Sequence, residues 1–580
     1  MRSRLLSGAV LAVLVAAVAA VGSRQGAAAA AFPNDDQTIV HALNRIGFGP
    51  RPDDIAKVRA MGLQAYIDQQ LHPERLADAQ MEARLAEMTT LRMTPREIAE
   101  QFTQPLLQAR RDRKQAAANQ PDDAAKMPTM AQQQANRVMV ELTSAKVLRA
   151  AYSERQLQEV LTDFWFNHFN VDARKGQDRF MLTAYERDTI RPHVLGKFRD
   201  LLGATAKSPA MLFYLDNWMS ADPNGPHSDD LQMRPRNFPA RRPGRVGQSF
   251  PNPQLPRRPN APAQQPNAQQ NMRKGLNENY GRELMELHTL GVEGGYTQKD
   301  VTEVARAFTG WTILNPRAGG SFVFDRRIHD PGQKVVLGHV IKSGGGEEDG
   351  EQVLDILATH PSTARFIATK LARRFVSDTP PPALVDRLAA RFHDTDGDLR
   401  EVMRTLLTSS EFLAPDARRA KVKTPFEFVV STVRGTGIDV PNATPLVRAV
   451  QQLGMPLYQC QPPTGYKDTA DAWVNTGALV NRMNFALQLA NGSLRAGGLQ
   501  AGNNRAARPR QGARDRADGT GDSAGNALQG VAGRTADADQ IIATVLNNNV
   551  AATTRETIGK ATTSEQKLAL VLGSPEFQRR

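Results

Sequence analysis

Cysteine is almost absent from the sequence, and this scarcity excludes several kinds of protein. The chain has 580 residues and one cysteine, Cys460, which has no second thiol with which to form a disulfide. One thiolate cannot build a cysteine zinc site, an iron–sulfur cluster or a C-x-x-C-H haem attachment. The fold must therefore be stabilised by packing. We interpret Cys460 as a small apolar residue, with an intermolecular disulfide as the alternative.

The common catalytic motifs are absent as well. The sequence has no G-x-S-x-G elbow, no H-E-x-x-H, no P-loop and no G-x-G-x-x-G after a predicted strand. The Glu-x-x-His pairs of di-iron bundles are missing from the central helix, since Glu286 and His288 are two positions apart. We therefore expect no haem c, iron–sulfur or nucleotide cofactor. A divalent metal ion stays open as a cofactor, with its ligands unassigned.

Long apolar runs are scarce too, and the one that exists lies at the N-terminus. Arg2 and Arg4 precede the apolar stretch 5–21, and small residues follow it up to Ala31. This order of charged, apolar and small residues is typical of a secretory signal peptide. We therefore predict a signal peptide over residues 1–31, export to the periplasm or the cell exterior, and no transmembrane segment after cleavage. A retained N-terminal anchor is the alternative, although the stretch is short for a full span.

The chain has an excess of positive charge, but the excess is concentrated in two segments. The net charge is +13, of which residues 1–30 hold +3 and residues 221–275 hold +6. The rest of the chain has an ordinary charge for its size. We therefore predict no specific nucleic-acid partner. The basic segment 221–275 supports a separate hypothesis, which is salt-dependent binding of anionic polymers.

Two segments have a biased composition. Residues 221–270 contain 11 of the 36 prolines, and proline both fixes φ and removes a hydrogen-bond donor. We predict a disordered Pro/Arg-rich insert over 221–275 and a low-complexity Gly/Arg-rich insert over 497–539. These inserts separate helical parts at 33–220, 276–496 and 540–580.

The spacing of apolar residues predicts a mainly α-helical fold. One stripe with helical spacing consists of Leu157, Val160, Leu161, Phe164, Trp165, His168 and Phe169. Thr297 and Asp300 form a capping box at the start of another predicted helix. Residues 322–324 and 334–341 carry the only convincing β signal, so we predict one small β-hairpin near 321–341. The expected fold is a multi-helix assembly with this hairpin and the two inserts.

The densest group of polar residues lies on the predicted helix that contains His288. His288 shares the apolar stripe of this helix, while Asn279, Glu283 and Glu286 line its border. Two carboxylates and an imidazole near the core boundary suit general acid–base catalysis or a hard metal ion. In the alternative interpretation the group is structural, because Arg282 can pair with Glu286 four positions on and His288 can be a core histidine.

His168 is the second candidate, because aromatic residues flank it in the sequence. Aromatic neighbours desolvate an imidazole and favour its neutral form, which can bind a metal ion. We predict that one pocket gathers His168 with the polar group on the other helix. The predicted catalytic residues are His168, Glu283, Glu286 and His288, and the predicted binding residues of this pocket are Asn279 and Arg282. An aromatic core explains His168 in the alternative interpretation.

The loop beside the predicted hairpin supplies a third candidate pair. His329 and Asp330 are neighbours in this loop, and such a pair can bind a metal ion or orient a base. We therefore include both among the predicted binding residues. Turn formation through Asp330 and the proline that follows it explains the aspartate equally well.

Several strings of the sequence resemble a known bacterial family. They are His41–Gly49, Phe164–Phe169, Asn277–Trp311, His360–Phe366, Lys423–Phe428 and Gly465–Gly477. In this order they resemble the bacterial domain-of-unknown-function family 1800, from about residue 37 to the last residues. The resemblance implies export and a neighbouring gene for a protein of sulfatase-like or alkaline-phosphatase-like fold, so we expect an exported sulfatase-like partner. It implies no activity, cofactor or catalytic residue.

These observations leave two functions open. In the first, the protein is an exported hydrolytic enzyme in which a carboxylate acts as the base, Arg282 holds an anionic group, and His168 or His288 donates a proton or binds a metal ion. In the second, it is a non-catalytic accessory that binds and positions the sulfatase-like partner. The sequence does not separate the two.

Overall fold

The computed structural model describes residues 32–119, 130–225, 275–494 and 537–580. The predicted signal peptide and most of the two predicted inserts lie outside these ranges. Helices account for most of the described chain, which confirms the predicted fold class.

The helices of eight residues or more in the described ranges are α1 Asp36–Ile46, α2 Asp54–Met61, α3 Leu63–Leu71, α4 Gln104–Asn119, α5 Met130–Tyr152, α6 Gln156–His168, α7 Phe198–Lys207, α8 Glu278–Met285, α9 Gln298–Ala307, α10 Glu347–Thr359, α11 Pro361–Phe375, α12 Pro382–Asp394, α13 Leu399–Leu407, α14 Pro425–Thr436, α15 Thr444–Gln452, α16 Thr476–Ala490, α17 Ala552–Gly559 and α18 Ser564–Gly573. A π-helical segment, Glu286–Leu290, continues α8. The strands are β1 Trp311–Leu314, β2 Ser321–Phe324, β3 Lys334–Val336 and β4 His339–Ile341.

The strands pair differently from the sequence prediction. We expected residues 322–324 to pair with 334–341, and that pairing was wrong. Instead β1 pairs with β2 and β3 pairs with β4, so the described residues contain two separate antiparallel sheets. The β3–β4 turn consists of Leu337 and Gly338, whose positive φ angles of 49° and 82° suit a two-residue hairpin turn. Each strand therefore finds its partner within a few residues of the chain.

One hydrophobic cluster runs through most of the described chain, and α6 and α11 both contribute to it. Trp165 and Phe169 are fully buried and stack at 6.1 Å between ring centroids. Ile367 and Leu371 of α11 are buried in the same cluster. The remaining faces of α6 and α11 are left to line a cavity.

α14 begins with a capping box that also fixes a buried carboxylate. Thr424 Oγ1 accepts a hydrogen bond from the N–H of Glu427 at 3.2 Å, and Glu427 Oε2 accepts one from the N–H of Thr424 at 2.9 Å. Pro425 occupies the first helical position, where a helix does not need its missing N–H. The box leaves Glu427 Oε1 to bind Arg374 at 2.8 Å and Arg580 at 3.0 Å.

The two ends of the described chain meet at the segment before α14. Val422 and Arg579 form an isolated antiparallel bridge. From the N-terminal side, the fully buried Arg45 of α1 donates to Ala417 O at 2.7 Å. No helix in the described ranges combines the length and the apolar composition that a membrane span requires.

Candidate functional site

The largest cavity described here lies between α6, α11 and the segment 464–469, and we call it the main cavity. Its volume is about 420 Å³. Its lining residues are Asp163, Phe164, Asn167, His168, Leu287, Phe366, Lys370, Arg373, Arg374, Thr424, Met455, Thr464, Tyr466, Lys467, Asp468 and Thr469.

Helical spacing places these side chains on one side of each helix. On α11, Phe366, Lys370 and Arg373 follow each other at i, i+4 and i+7, which is one face of an α-helix. On α6, Phe164 and His168 have the same i, i+4 relation. The two helices therefore present an aromatic ring and a titratable side chain each to the same space.

His168 is held in the cavity wall as a neutral acceptor. Its Nε2 lies 3.1 Å from His288 O and its Nδ1 lies 2.8 Å from Lys370 Nζ. A carbonyl oxygen only accepts and an ammonium group only donates, so Nε2 carries the proton and Nδ1 accepts. Burial and the nearby Lys370 hold the pKa of His168 well below its usual value. The imidazole therefore stays neutral at physiological pH.

Lys370 is a buried cation that forms no ion pair with a described residue, although the carboxylate of Asp468 is near enough to oppose the lowering of its pKa. Its amine bonds His168, and no carboxylate of the described residues lies within ion-pair distance of it. Burial, followed by the neighbouring Arg373, lowers the pKa of Lys370 to about 8. An amine with this pKa is partly neutral in mildly alkaline solution, where it can accept a proton or act as a nucleophile.

The other charges around the main cavity include the carboxylate of Asp468, which lies 3.7 Å from Arg374 and 3.4 Å from Lys421, but cations still outnumber carboxylates in the lining. Arg373 Nε donates only to a neutral acceptor, Asp378 O, at 3.3 Å. Arg374 binds Glu427, but its Nε and Nη2 are buried without an acceptor among the described residues. Asp163 is already paired with Lys146 at 2.7 Å. The arrangement suits an anionic ligand better than a cationic one.

A rigid loop closes the cavity opposite α11. Tyr466 accepts a hydrogen bond from Asn167 Nδ2 through its carbonyl at 2.8 Å and donates one through its N–H to Asn167 Oδ1 at 2.7 Å. Gly465 has φ +72°, and a Cβ there would lie 2.2 Å from Asn167 O. Only glycine permits this close approach of the loop to the end of α6.

The structure brings two of the predicted site residues together. The rings of His168 and His288 lie 6.3 Å apart between centroids, and both are buried. Burial, and then the charge of Lys370, lowers the pKa of His288 to about 3. His288 lies behind His168 and is not among the residues that line the main cavity.

The other members of the predicted pocket lie elsewhere, so the expected convergence does not occur. Glu286 accepts from Tyr296 OH at 2.9 Å, and Arg282 donates to Gln298 Oε1 at 2.6 Å. Asn279 is exposed, and half-buried Glu283 has its pKa raised by burial and by Glu286. Asn279, Arg282 and Glu283 border the buried stripe of the regular helix α8 and stay exposed or half-buried, so of this group only His288 reaches the core beside His168.

His329 and Asp330 lie outside the main cavity, in two structural networks. His329 Nδ1 lies 2.7 Å from Thr309 O, and its Nε2 lies 3.2 Å from the buried Asp349. Asp330 accepts two hydrogen bonds from Arg306, at 2.7 and 3.1 Å. The binding role predicted for this pair therefore has no cavity to support it among those described.

The sequence did contain a signal for the cations that were missed. α11 carries Arg365, Lys370, Arg373 and Arg374 and has no acidic residue. A helix with four cations and no carboxylate cannot neutralise them internally, so their counter-ions must come from elsewhere in the fold or from a ligand.

Metal ligands are not gathered in the part of the chain that the structure describes. No three His, Cys, Asp or Glu side chains of that part converge as a metal site requires. The cationic lining of the main cavity also opposes a bound cation.

The comparisons with known proteins identify the family. A family model described as a protein of unknown function, DUF1800, matches residues 41–579, which is nearly the whole chain. Neither the comparison with curated proteins nor the comparison with solved structures found a match. The resemblance found in the sequence is thereby confirmed, and the chain belongs to the DUF1800 family of proteins of unknown function.

Proposed function

We propose that the main cavity binds a small organic anion and that Lys370 exchanges a proton with it or with a water molecule attacking it. The observation that carries this proposal is the position of Lys370. It is a desolvated amine, bonded to a neutral imidazole and without a carboxylate partner among the described residues. Hydrolysis of an anionic substrate is the reaction that suits this site best.

The charge of the cavity supports an anion. Keeping an unpaired charge away from water is costly, and a bound anion would offset that cost for Lys370. Arg373 adds a guanidinium group, whose planar donors match carboxylate, phosphate and sulfate oxygens. These side chains would orient the anionic group of the ligand.

The apolar half of the lining supports an organic body on that anion. Phe164, Phe366 and Met455 face the same space as the cations. Aromatic and thioether side chains pack well against planar or apolar groups. An aromatic or branched aliphatic anion therefore matches the cavity better than an inorganic one.

The proposed proton transfer uses only side chains of this chain. In its neutral form Lys370 would take a proton from a water molecule as the water oxygen bonds to the acid centre of the substrate. The bond from that centre to the leaving alcohol or phenol oxygen would break, and the ammonium group of Lys370 would return the proton to that oxygen. His168 Nδ1 would hold the amine in position, and His288 O would fix the orientation of the imidazole through Nε2. The predicted roles of Glu283 and Glu286 as bases are replaced in this proposal by Lys370.

We also propose that the protein is exported, from the order of residues in the segment 1–31. A sulfatase-like partner remains part of the alternative, in which the protein binds without catalysis. If the protein is such an accessory, replacing Lys370 should leave its binding of the partner unchanged.

Thermal unfolding with three anions tests the proposal. Benzoate, phenyl phosphate and phenyl sulfate share a ring and differ in the anionic group. A ligand at about 100 times its Kd adds about 2.7 kcal/mol to stability. We expect at least one of them to raise the Tm of the wild type and of Lys299→Met, an exposed charge-matched control, but not of Lys370→Met.

Turnover separates binding from catalysis. Release of nitrophenolate from 4-nitrophenyl phosphate and 4-nitrophenyl sulfate is measured for the wild type, Lys370→Arg and Lys370→Met. Lys370→Arg keeps the charge but cannot act as a base near neutral pH, so we expect it to bind the anion and to lose turnover. If no anion shifts the Tm, or if Lys370→Met keeps the full shift, the proposed function is rejected.

A further inference from the structure

A second cavity lies where the two ends of the described chain meet. It is enclosed by α1, the segment 415–423, residues 545–549 and the C-terminal residues, and its volume is about 320 Å³. We call it the C-terminal cavity. Lys423 lines it, whereas the next residue, Thr424, lines the main cavity.

The C-terminal cavity is strongly basic. Its charged lining residues are Arg418, Arg419, Lys423, Arg579, Arg580 and a single carboxylate, Glu576. Glu576 is already occupied, since it accepts from the N–H of Ala551 at 3.0 Å and from the hydroxyl of Thr554. Arg580 is paired with Glu427 at 3.0 Å, whereas the other four cations form no ion pair with a described residue.

Neutral acceptors hold two of these cations in place. Arg418 donates to Gln37 Oε1 and to Thr38 Oγ1, both at 2.9 Å. Arg419 donates to Asn549 O at 2.7 Å. These bonds fix the guanidinium groups without neutralising them, which preorganises them for an anion.

Lys423 is the strongest indication of a ligand. Its side chain is buried, with 3% of the residue exposed, and its Nζ lies 4.2 Å from the ring centroid of Phe577. No hydrogen bond or ion pair joins its amine to another described residue. Burial lowers the pKa of Lys423 to about 7, and a bound anion would restore the charged form.

His41 lines the same cavity. Its Nε2 lies 2.8 Å from Phe412 O and therefore carries the proton. Its Nδ1 is buried and has no donor among the described residues. An ordinary oxyanion such as sulfate offers no proton to this nitrogen, whereas a phosphate monoanion keeps a P–OH group that can donate.

We propose that the C-terminal cavity is a second ligand site and that it binds the phosphate group of a small molecule. Lys423, Arg418, Arg419 and Arg579 contact the phosphate oxygens, and His41 Nδ1 accepts from the remaining hydroxyl. This site is separate from the main cavity and does not depend on the function proposed for it.

Calorimetric titration with inorganic phosphate tests the site, using the whole mature protein near pH 6.5. We expect Lys423→Met to weaken binding at least about tenfold, which corresponds to about 1.4 kcal/mol. Arg579→Gln should weaken it as well. Arg579 is exposed and its side chain has no bond to a described residue, so this variant keeps the fold even if Lys423→Met does not.

Two matched comparisons sharpen the result. Lys299→Met, on the surface, should leave phosphate binding unchanged. Sulfate has the size of phosphate but carries two negative charges and no hydroxyl, so charge alone would favour sulfate. Because sulfate cannot donate a hydrogen bond to His41, we expect it to bind at least several-fold more weakly to the wild type.

Three outcomes would overturn the proposal. The first is no phosphate binding by the wild type, and the second is unchanged affinity in both Lys423→Met and Arg579→Gln. The third is equal affinity for sulfate and phosphate, which would reduce the site to a patch of positive charge.

Discussion

Arg374 and Arg580 bind the same carboxylate oxygen, Oε1 of Glu427, at 2.8 and 3.0 Å. Arg374 lines the main cavity and Arg580 lines the C-terminal cavity, so Glu427 connects the walls of the two sites. Burial alone would favour the neutral acid. The two guanidinium groups nevertheless lower the pKa of Glu427 to about 2.

Glu427→Gln should therefore be strongly destabilising. It would leave the buried Arg374 and Arg580 with only the more distant carboxylate of Asp468, at 3.7 and 3.8 Å, and breaking a buried ion pair costs about 3–5 kcal/mol. Urea unfolding measures the change. Glu411→Gln is the control, because its pair with Arg387 is more exposed and should contribute about 1 kcal/mol or less. A loss for Glu427→Gln no larger than that of the control would contradict the structural role of the bridge.

Acid should unfold the wild type partly through the same carboxylate. The folded-state pKa of Glu427 lies below its ordinary value of 4.5, so the folded state binds fewer protons than the unfolded state between the two values. The contribution of Glu427 to the free energy of unfolding is fully present above about pH 4.5 and is lost as the pH falls toward 2. Unfolding free energies measured across this range should fall more steeply for the wild type than for Glu427→Gln. Parallel curves would show that Glu427 does not titrate as described.

Lys370→Met should not destabilise the protein at neutral pH. The pKa of Lys370 is lowered on folding, so the charged form is disfavoured in the folded state below about pH 8, and this penalty fades as the pH rises toward the ordinary value of 10.5. Methionine has a similar length and carries no charge. We expect Tm to stay equal or to rise at pH 7. A large fall in Tm would indicate that Lys370 serves the fold and not a ligand.

Gly465→Ala should loosen the loop that closes the main cavity. The new Cβ would lie 2.2 Å from Asn167 O, whereas Gly454, also in the left-handed region, has nothing within 4 Å of the same position. Gly454→Ala should thus cost only about 1 kcal/mol from its positive φ. Gly465→Ala should cost at least about 1–2 kcal/mol more in thermal unfolding. Equal losses in the two variants would place the loop farther from α6 than described.

The sequence predicted the helices whose formation depends on residues close together in the chain. The stripe from Leu157 to His168 predicted α6, and the capping box at Thr297 predicted the start of α9, because both are local patterns. The contact between Lys370 and His168 joins residues 202 positions apart, and no local pattern encodes it. The π-helical segment after α8 was not predicted either, because the spacing of apolar residues does not distinguish one π turn from an α turn.

The pH dependence of anion binding tests the central claim most directly. Benzoate stays fully ionised from about pH 6 to about pH 10, so any change in its Kd over this range comes from the protein. The account predicts that binding to the wild type weakens as the pH rises through about 8, because Lys370 loses its charge there. Binding to Lys370→Arg should stay constant over the same range. Identical pH profiles for the two proteins would contradict the account.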